Sequence, residues 1–574
     1  MESARTLLFV LLAFFTFLLY QAWQEDHKPA PEKKAPIESS LTAGQLSGDN
    51  LSAQTTPITS DSTRSDKLAA ELPGQTNQIK FNESGEISPP VEVVTDKLKV
   101  MISPIGGNLI SAELIDYKET KAKDSAPINL LENRNGRVFL ALAGLYGENA
   151  PDFENREVVY NSVRSVYRLA EGQDSVEVDL SWSNAQGVEY IKRFTFHRGQ
   201  YLIDVKFIVN NLSNQKIANR MFTSLRRDMT PADWEISEGI GLQSYLGPAY
   251  FTSESKFEKH DFDKLQETDL DIKTKDGWIA LLQHYFVTAW VPQSDSVNYI
   301  DTTDKDLGRG DLAQIRITQD WVWIEPGKIA EFSAKLYVGP KIQSALEKIA
   351  KGLDLTVDYG ILWWIGQPIF YLLVFLQGFV VNWGVAIILV TLVIKMALYP
   401  LARAQYRSFA KMRLLQPKMM EMKERYGDDR QQMSMKMMEL YKKEKVNPLG
   451  GCLPLLIQMP VFIALYWVLM ESVELRHAPF MLWIDDLAVK DPYFILPLLM
   501  GASMYLMQKM QPTAPTMDPM QQKMMQMMPV FMTVFFVFFP AGLVLYWLMN
   551  NLVSIAQQIY ITNQFNREQE AKTR

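Results

Sequence analysis

The alternation of hydrophobic and polar residues has a period of two over much of the first half of the chain. It is clearest in Ser175–Trp182, Glu189–Phe196 and Tyr201–Phe207. Because successive side chains of a strand point to opposite faces, these segments predict half-buried strands, and clusters of Asn, Gly, Asp and Pro separate them. We therefore predict a large antiparallel β-sandwich over residues 79–340, which is enough chain for one sizeable core.

Before this region, an apolar run from Thr6 to Tyr20 follows Arg5, with no small-residue cleavage site or lipobox cysteine after it. This pattern favours an uncleaved membrane anchor over residues 1–23 rather than a signal peptide, with Arg5 on the cytoplasmic side. Residues 24–78 are rich in Pro, Ser, Thr and Ala without apolar periodicity, which predicts a disordered linker.

After residue 340 the apolar residues follow helical spacing or form long runs. Within residues 341–378 we predict an amphipathic helix, Lys341–Tyr359, and an interfacial helix, Ile361–Gln377. The first helix either lies on a membrane surface or packs on the sandwich, and the pattern leaves both open. The longer apolar runs predict membrane spans: Phe379–Leu401, Leu449–Met470, Tyr493–Gln508, Met524–Phe539 and Ala541–Ile561.

The distribution of charge predicts the topology. The net charge of −7 divides into about −13 for residues 1–340 and about +6 for the rest. Arg403–Lys445 holds twelve basic and six acidic residues, whereas Glu471–Pro492 holds two and five. By the positive-inside rule the first segment is cytoplasmic and the second is outside. The prediction is six spans, an external sandwich, both termini inside and a short cytoplasmic tail at 564–574.

The charged segment at residues 402–446 suits two helices, Ala404–Tyr426 and Arg430–Lys445, joined by a turn at residues 427–429. We predict an antiparallel helical hairpin. Several of the 28 methionines lie in this hairpin and around the fourth and fifth spans. Flexible methionines suit surfaces that bind many apolar partners, although each could equally fill a core or face lipid.

Composition excludes several classes of function. The single cysteine cannot form an internal disulfide, and the five histidines show no metal-ligand spacing. The mildly acidic balance argues against a nucleic-acid binder. The spans contain no histidine and no acid, and the chain has no nucleotide motif, so we predict neither an enzyme nor a cofactor.

The candidate chemistry is a cation within a span. A charge at the position of Lys395 costs roughly 2.5–3.5 kcal/mol in a bilayer, so it usually faces protein or water. Snorkelling of Lys395 to the headgroups is the alternative. Other polar residues share its helical face or lie on other spans: Thr391, Tyr399, Gln458, Gln508, and the row Tyr546, Asn550, Ser554 and Gln558. They either join helices or line a wet cavity that accepts an acidic group.

Several motifs stand in one order along the second half: Asn382–Gly384, Tyr399–Leu401, Leu415–Lys418, Asn447–Cys452, Pro454–Pro460, Asp518–Gln522 and Gly542–Trp547. With the anchor, external sandwich and hairpin, they closely resemble the YidC family of membrane protein insertases. The resemblance implies a polytopic α-helical membrane protein with a five-helix core in a bacterial inner membrane, carrying a periplasmic all-β supersandwich. It also implies an essential hairpin and a groove open to cytoplasm and lipid. The implied partners are nascent membrane proteins, the Sec translocon, the lipid bilayer and the ribosome.

The family usually has arginine where this chain has Lys395, and lysine keeps the charge but lacks the planar fork. On this reading Lys395 attracts an acidic client tail. The residues expected to hydrate the tail are Thr391, Gln458, Gln508, Tyr546 and Asn550. The client's apolar segment is expected to slide along a lipid-exposed edge formed by Phe462, Leu465, Tyr466 and Trp547. A secondary transporter and a cell-envelope scaffold are the rival functions.

Overall fold

The computed structural model describes residues 89–573, except 135–136, 149, 153–157, 230–243, 263–268, 294–296, 307–310, 427–429, 445–452 and 512–518. The predicted anchor and linker, and the turn of the hairpin, lie outside the described residues.

The described residues up to Pro340 form twenty strands in two sheets. The strands are β1 (Val91–Val94), β2 (Leu98–Ile102), β3 (Leu109–Lys118), β4 (Pro127–Arg134), β5 (Arg137–Tyr146), β6 (Asn161–Ser162), β7 (Val166–Arg168), β8 (Ser175–Ser183), β9 (Val188–His197), β10 (Leu202–Asn211), β11 (Ile217–Asp228), β12 (Gly247–Thr252), β13 (Lys256–Lys259), β14 (Asp271–Thr274), β15 (Trp278–Leu282), β16 (Phe286–Pro292), β17 (Asn298–Asp306), β18 (Asp311–Gln319), β19 (Val322–Ile324) and β20 (Ile329–Pro340). One sheet has the order β14-β17-β18-β11-β5-β4-β3-β2-β1-β7, with β19 also paired to β11. The other has the order β13-β12-β15-β16-β20-β10-β9-β8-β6.

This architecture confirms the predicted sandwich. The alternation of buried and exposed residues that produces it is clear in β9 and β10. The apolar residues of β10 are buried at every second position, while Asp204 and Lys206 between them are partly exposed. One inward position of β9 is charged: Lys192 is buried and donates to the carbonyl oxygens of Ala143 (2.6 Å) and Gly106 (3.3 Å). Burial lowers the pKa of Lys192 to about 7, against the opposing effect of Asp152.

The rest of the described chain is helical. The helices are α1 (Gln343–Ile349), α2 (Trp363–Val380), α3 (Trp383–Ala397), α4 (Tyr399–Tyr426), α5 (Arg430–Lys443), α6 (Leu453–Glu471), α7 (Ile495–Lys509), α8 (Pro519–Phe536) and α9 (Ala541–Thr573). Helix α1 packs on the sandwich, since Leu346 is buried and the carbonyl oxygen of Lys351 accepts a hydrogen bond from Trp278 Nε1 at 3.1 Å. The sequence left open whether this helix lies on a membrane surface or packs on the sandwich, and the structure shows it packed on the sandwich.

The predicted six spans are not confirmed by helix length and hydropathy. In the described part of the chain, Gly360–Val380 is the one continuous helix long and apolar enough to cross a membrane. It contains α2, which was expected to lie at the interface. Helices α3 and α4 also pass this test when taken together as one span bent by 68°. The apolar part of α6 is shorter, and polar residues interrupt the hydropathy of α8 and α9.

Helices α4 and α5 pack against each other through a small apolar core of Leu415, Met419, Met437 and Leu440. They form the two arms of a hairpin that leaves other apolar side chains exposed, among them Met435 and Met438. The arms are therefore held together by part of the methionine set, and the rest faces outward.

A buried polar junction joins the sandwich to the end of α6. Lys341 and Glu471 form an ion pair at 3.7 Å, and each side chain is 3% exposed. Ser244 donates to the Glu471 carboxylate, and His284 Nε2 donates to the carbonyl oxygen of Met470 at 3.0 Å. Since the last carbonyls of a helix have no partner within the helix, His284 satisfies one of them. The junction fixes the end of α6 that lies next to the sandwich.

Candidate functional site

Helix α3 brings Lys395 into the interior of the helical half. The helix begins at an Asn382 cap, whose side chain accepts from Val385 N at 3.0 Å and donates to the carbonyl oxygen of Phe480 at 2.9 Å. Ile387, Thr391 and Lys395 are spaced by four residues and are all buried, so they share the inner face of the helix. Lys395 is 8% exposed.

The ammonium group of Lys395 is held by neutral partners on two other helices. It donates to Ser554 Oγ on α9 at 2.7 Å and to Gln458 Oε1 on α6 at 3.4 Å. The carbonyl oxygen of Lys395 accepts from Gln557 Nε2 at 3.3 Å. The cation therefore points into the protein, which disagrees with the snorkelling alternative.

Further hydrogen bonds make these contacts into a network. Gln458 Nε2 donates to Asn550 Oδ1. Tyr546, one helical turn before Asn550, is buried on the same face of α9. Ser554 Oγ donates to the carbonyl oxygen of Asn550 at 2.7 Å. Helices α3, α6 and α9 thus meet around one charge, and the predicted Lys395, Gln458, Tyr546 and Asn550 come together.

No carboxylate neutralises this charge among the residues that the structure describes. A lysine ammonium has three donors, and the hydrogen bonds to Ser554 and Gln458 use two of them. Burying a cation beside neutral groups is unfavourable, and an acidic ligand would relieve that cost. The site can therefore bind a carboxylate.

Two predicted lining residues have other partners. The Thr391 hydroxyl donates to the carbonyl oxygen of Ile387 in its own helix at 2.8 Å. Gln508, on α7, donates to the carbonyl oxygen of Met525 on α8. This hydrogen bond holds α7 against α8, and the hydration of the client tail by Gln508 stays a prediction.

The predicted client edge is less exposed than expected. Leu465 and Tyr466 are buried, and Phe462 and Trp547 are partly buried. The rings of Phe462 and Trp547 meet edge to face at 4.3 Å, and Tyr466 packs on Phe539 at 6.0 Å. Full lipid exposure is wrong for Leu465 and Tyr466, because aromatic packing closes this side of α6.

Ser554 was predicted only as a member of the polar row on the last span, and Gln557 was not predicted at all. Ser554 continues the i, i+4 row of Tyr546 and Asn550, and that row was the available signal. Gln557 lies outside the i, i+4 row that contains Ser554 and Gln558, so the sequence gave no signal for it. In the described residues no group of three His, Cys, Asp or Glu side chains could hold a metal ion.

Known proteins are similar to this chain over nearly its whole length. Residues 90–372 match the family described as the YidC periplasmic domain, and residues 375–569 match the family described as 60Kd inner membrane protein. The chain is 46% identical over 560 residues to a protein of Shewanella pealeana named membrane protein insertase YidC, covering 97% of this chain and 98% of that protein. A protein of the same name from Shewanella loihica is 47% identical over 561 residues, with the same coverage.

A crystal structure described as an active YidC insertase, with its first transmembrane domain resolved, was also found. It is 18% identical, has a TM-score of 0.36, and covers 82% of this chain and 92% of its own.

Proposed function

The chain belongs to the YidC family of membrane protein insertases, and from that premise we propose that it inserts newly made membrane proteins through the polar site around Lys395. It is an insertase of the inner membrane and not an enzyme. The observation that carries the proposed site is the buried Lys395 ammonium, which has two neutral partners and no carboxylate among the described residues.

The first step is capture of a hydrophilic, acidic tail or loop of the client. Its carboxylate takes the third donor of Lys395, and the groups of Gln458, Asn550 and Tyr546 replace part of its hydration. This lowers the cost of carrying polar groups through hydrocarbon. Thr391 lies on the inner face of α3, but its hydroxyl is hydrogen-bonded within its own helix and does not hydrate the tail.

The client's apolar segment then leaves along the edge of α6 and α9. The partly exposed Phe462 and Trp547 make the first contact, and Leu465 and Tyr466 join only when the aromatic packing around them opens. Burial of the client helix in lipid supplies about 25 cal/mol per Å² of apolar surface. The membrane potential adds roughly 2.3 kcal/mol per 100 mV for each acidic charge moved outward.

The topology proposed with this mechanism has six spans, formed by the N-terminal apolar run, α3 and α6 to α9, and both termini in the cytoplasm. Helix α2 is long enough to cross. Counting α2 as a span, however, would place the cation-rich hairpin outside, against the positive-inside rule. We therefore keep α2 at the outer interface. The hairpin, with Met435 and Met438 exposed, is proposed to meet clients arriving from the ribosome or the Sec translocon.

Site-specific photo-crosslinking to a ribosome-bound nascent membrane protein tests the site. A crosslinker at Asn550 should label the client, whereas one at Tyr560, exposed on the same helix, should label it much less. Equal labelling from both positions would contradict the proposal. A small-solute flux in liposomes would favour a transporter, and full activity after deletion of residues 402–446 would favour a scaffold.

A further inference from the structure

Three arginines lie on one face of the sheet that contains β11 and β18. Arg220 and Arg226 are both on β11, and an even separation along a strand places them on the same face. Arg316 on β18 shares this face, because its register partner on β11 is Ser224. The ring centroid of Tyr146 is 5.6 Å from the guanidinium carbon of Arg220 and 6.0 Å from that of Arg316. The three positive charges therefore belong to one surface of the sandwich.

One of these arginines has a carboxylate partner, and the other two have none among the residues that the structure describes. Arg316 and Asp301 form an ion pair at 2.8 Å. Arg226 is 6% exposed and donates through Nε and Nη2 to the neutral Oε1 atom of Gln314, at 3.1 and 2.9 Å. Burial lowers the pKa of Arg226 and of Arg220. The surrounding protein therefore does not fully compensate these two charges.

Two buried donors of this surface have no acceptor in the described protein. They are the Nε atom of Arg220 and the Nε2 atom of Gln314, and Gln314 is a buried residue. An unpaired buried donor is unfavourable, and an acceptor that arrives from outside removes that cost. Trp321 packs on the Arg220 guanidinium at 4.6 Å and is 44% exposed. An approaching ligand therefore meets Trp321 and the partly exposed Arg220 first.

The surface suits an extended chain that carries carboxylates. A guanidinium presents a planar fork of donors that matches the two oxygens of a carboxylate. Arg220 and Arg226 are six residues apart on one strand, which separates their Cα atoms by about 20 Å at ~3.3 Å per residue. A single small anion cannot reach both ends of this surface, whereas a peptide with several acidic residues can.

We propose that Arg220, Arg226 and Gln314 form a receptor site on the sandwich for the acidic tail of a translocated client. Acidic side chains of the tail accept from Arg220 Nε and Gln314 Nε2, and Arg316 adds its charge. Binding of the tail to the periplasmic domain then disfavours its return through the site around Lys395. This inference rests on the proposed function and deepens it, because it names a partner for the sandwich.

Fluorescence anisotropy with the full-length protein in detergent tests the receptor site. The probe is a labelled peptide with several Asp residues, and the same peptide with Asn in their place is the reference. All variants carry Lys395→Gln, so that the other proposed carboxylate site does not contribute. At low salt the Asp peptide should bind about tenfold more tightly than the Asn peptide. Arg220→Gln should remove most of this difference.

The matched control removes an arginine elsewhere on the sandwich. Arg168 lies on the short strand β7 and pairs with Glu92, and Arg168→Gln should keep the preference for the Asp peptide. Labelling of arginines by phenylglyoxal, read by mass spectrometry, needs no substitution in the sandwich. The Asp peptide should slow labelling of Arg220, the Asn peptide should not, and Arg168 should be labelled at one rate with either peptide.

Equal binding of the two peptides, or an unchanged preference in Arg220→Gln, would overturn the receptor site. Competition by glucuronate as strong as that by the Asp peptide would also overturn it, because the ligand would then be a single acidic sugar.

The outcome is separable from that of the proposed function. If Lys395→Glu blocks insertion of acidic clients and the sandwich does not prefer the Asp peptide, the charge mechanism stands and the receptor site is wrong. If the preference depends on Arg220 and Lys395→Glu leaves acidic clients unaffected, the receptor site stands and the charge mechanism fails.

Discussion

Reversing the charge of Lys395 should abolish the preference for clients with acidic translocated tails. The ammonium lies between Ser554 and Gln458, with no carboxylate among its described neighbours. Lys395→Glu therefore replaces attraction by repulsion in a site that has no other charge to compensate. Lys395→Arg keeps the charge and should keep most of the activity.

The size of the effect follows from Coulomb's law. A client carboxylate about 4 to 8 Å from the ammonium gains roughly 2 to 4 kcal/mol at an effective dielectric constant of about 20. The fold has already removed most water from Lys395, so the remaining cost is dehydration of the carboxylate. If about half of the attraction survives, roughly 1 to 2 kcal/mol remains, which corresponds to about a 5- to 30-fold difference in insertion.

The assay compares two versions of one single-span client, with Asp or Asn at the same tail positions. Insertion into vesicles is measured by protease protection, and the result is the ratio of acidic-tail to neutral-tail insertion. Lys395→Glu should lower this ratio by at least the factor above, whereas Lys395→Arg should change it by less than about threefold. Lys509→Glu, the same reversal at an exposed helix end, should leave it unchanged.

An unchanged ratio in Lys395→Glu would refute the electrostatic argument. An equal loss for both clients would also refute it, because a damaged fold does not distinguish Asp from Asn. Only a selective loss supports a direct role of the charge.

Three further predictions concern the frame around the site. Lys341→Met should destabilise the protein by roughly 3–5 kcal/mol, because Glu471 is left buried and unpaired, and Lys341→Met with Glu471→Leu should recover most of the loss in a thermal melt in detergent. Gly384→Ala should cost about 1–3 kcal/mol in the same melt, since a Cβ there overlaps the ring of Phe480; Gly378→Ala, with open space around it, should not destabilise. Burial raises the pKa of Glu474 to about 7, so its penalty grows as the pH rises from about 4.5 to 7. Glu474→Gln should therefore raise the melting temperature at pH 8, by an amount equivalent to roughly 1 to 3 kcal/mol, and much less at pH 5.

The strands were predictable because a sheet with one buried face imposes a local period of two. Lys192 shows the limit of that argument. Its inward position matches the alternation, but its charge is stabilised by the carbonyl oxygens of Gly106 and Ala143 and by Asp152, all from elsewhere in the chain. No local pattern encodes those contacts.

Part of the site was predictable because polar residues stand out within apolar helices. This signal identified Lys395, Gln458 and Asn550. Exposure was not predictable in the same way. Lipid tails are as apolar as a protein core, so Leu465 has the same sequence pattern whether it faces lipid or protein.

The Lys341–Glu471 junction has a consequence for the modularity of the molecule. Lys341 falls within the first of the two matched families, residues 90–372, and Glu471 falls within the second, residues 375–569. Each half thus holds one charge of a buried pair. The two halves can therefore drift in sequence only if these positions change together. A chimera that joins this sandwich to the helical half of another insertase will be stable only where that half supplies an acid at the position of Glu471.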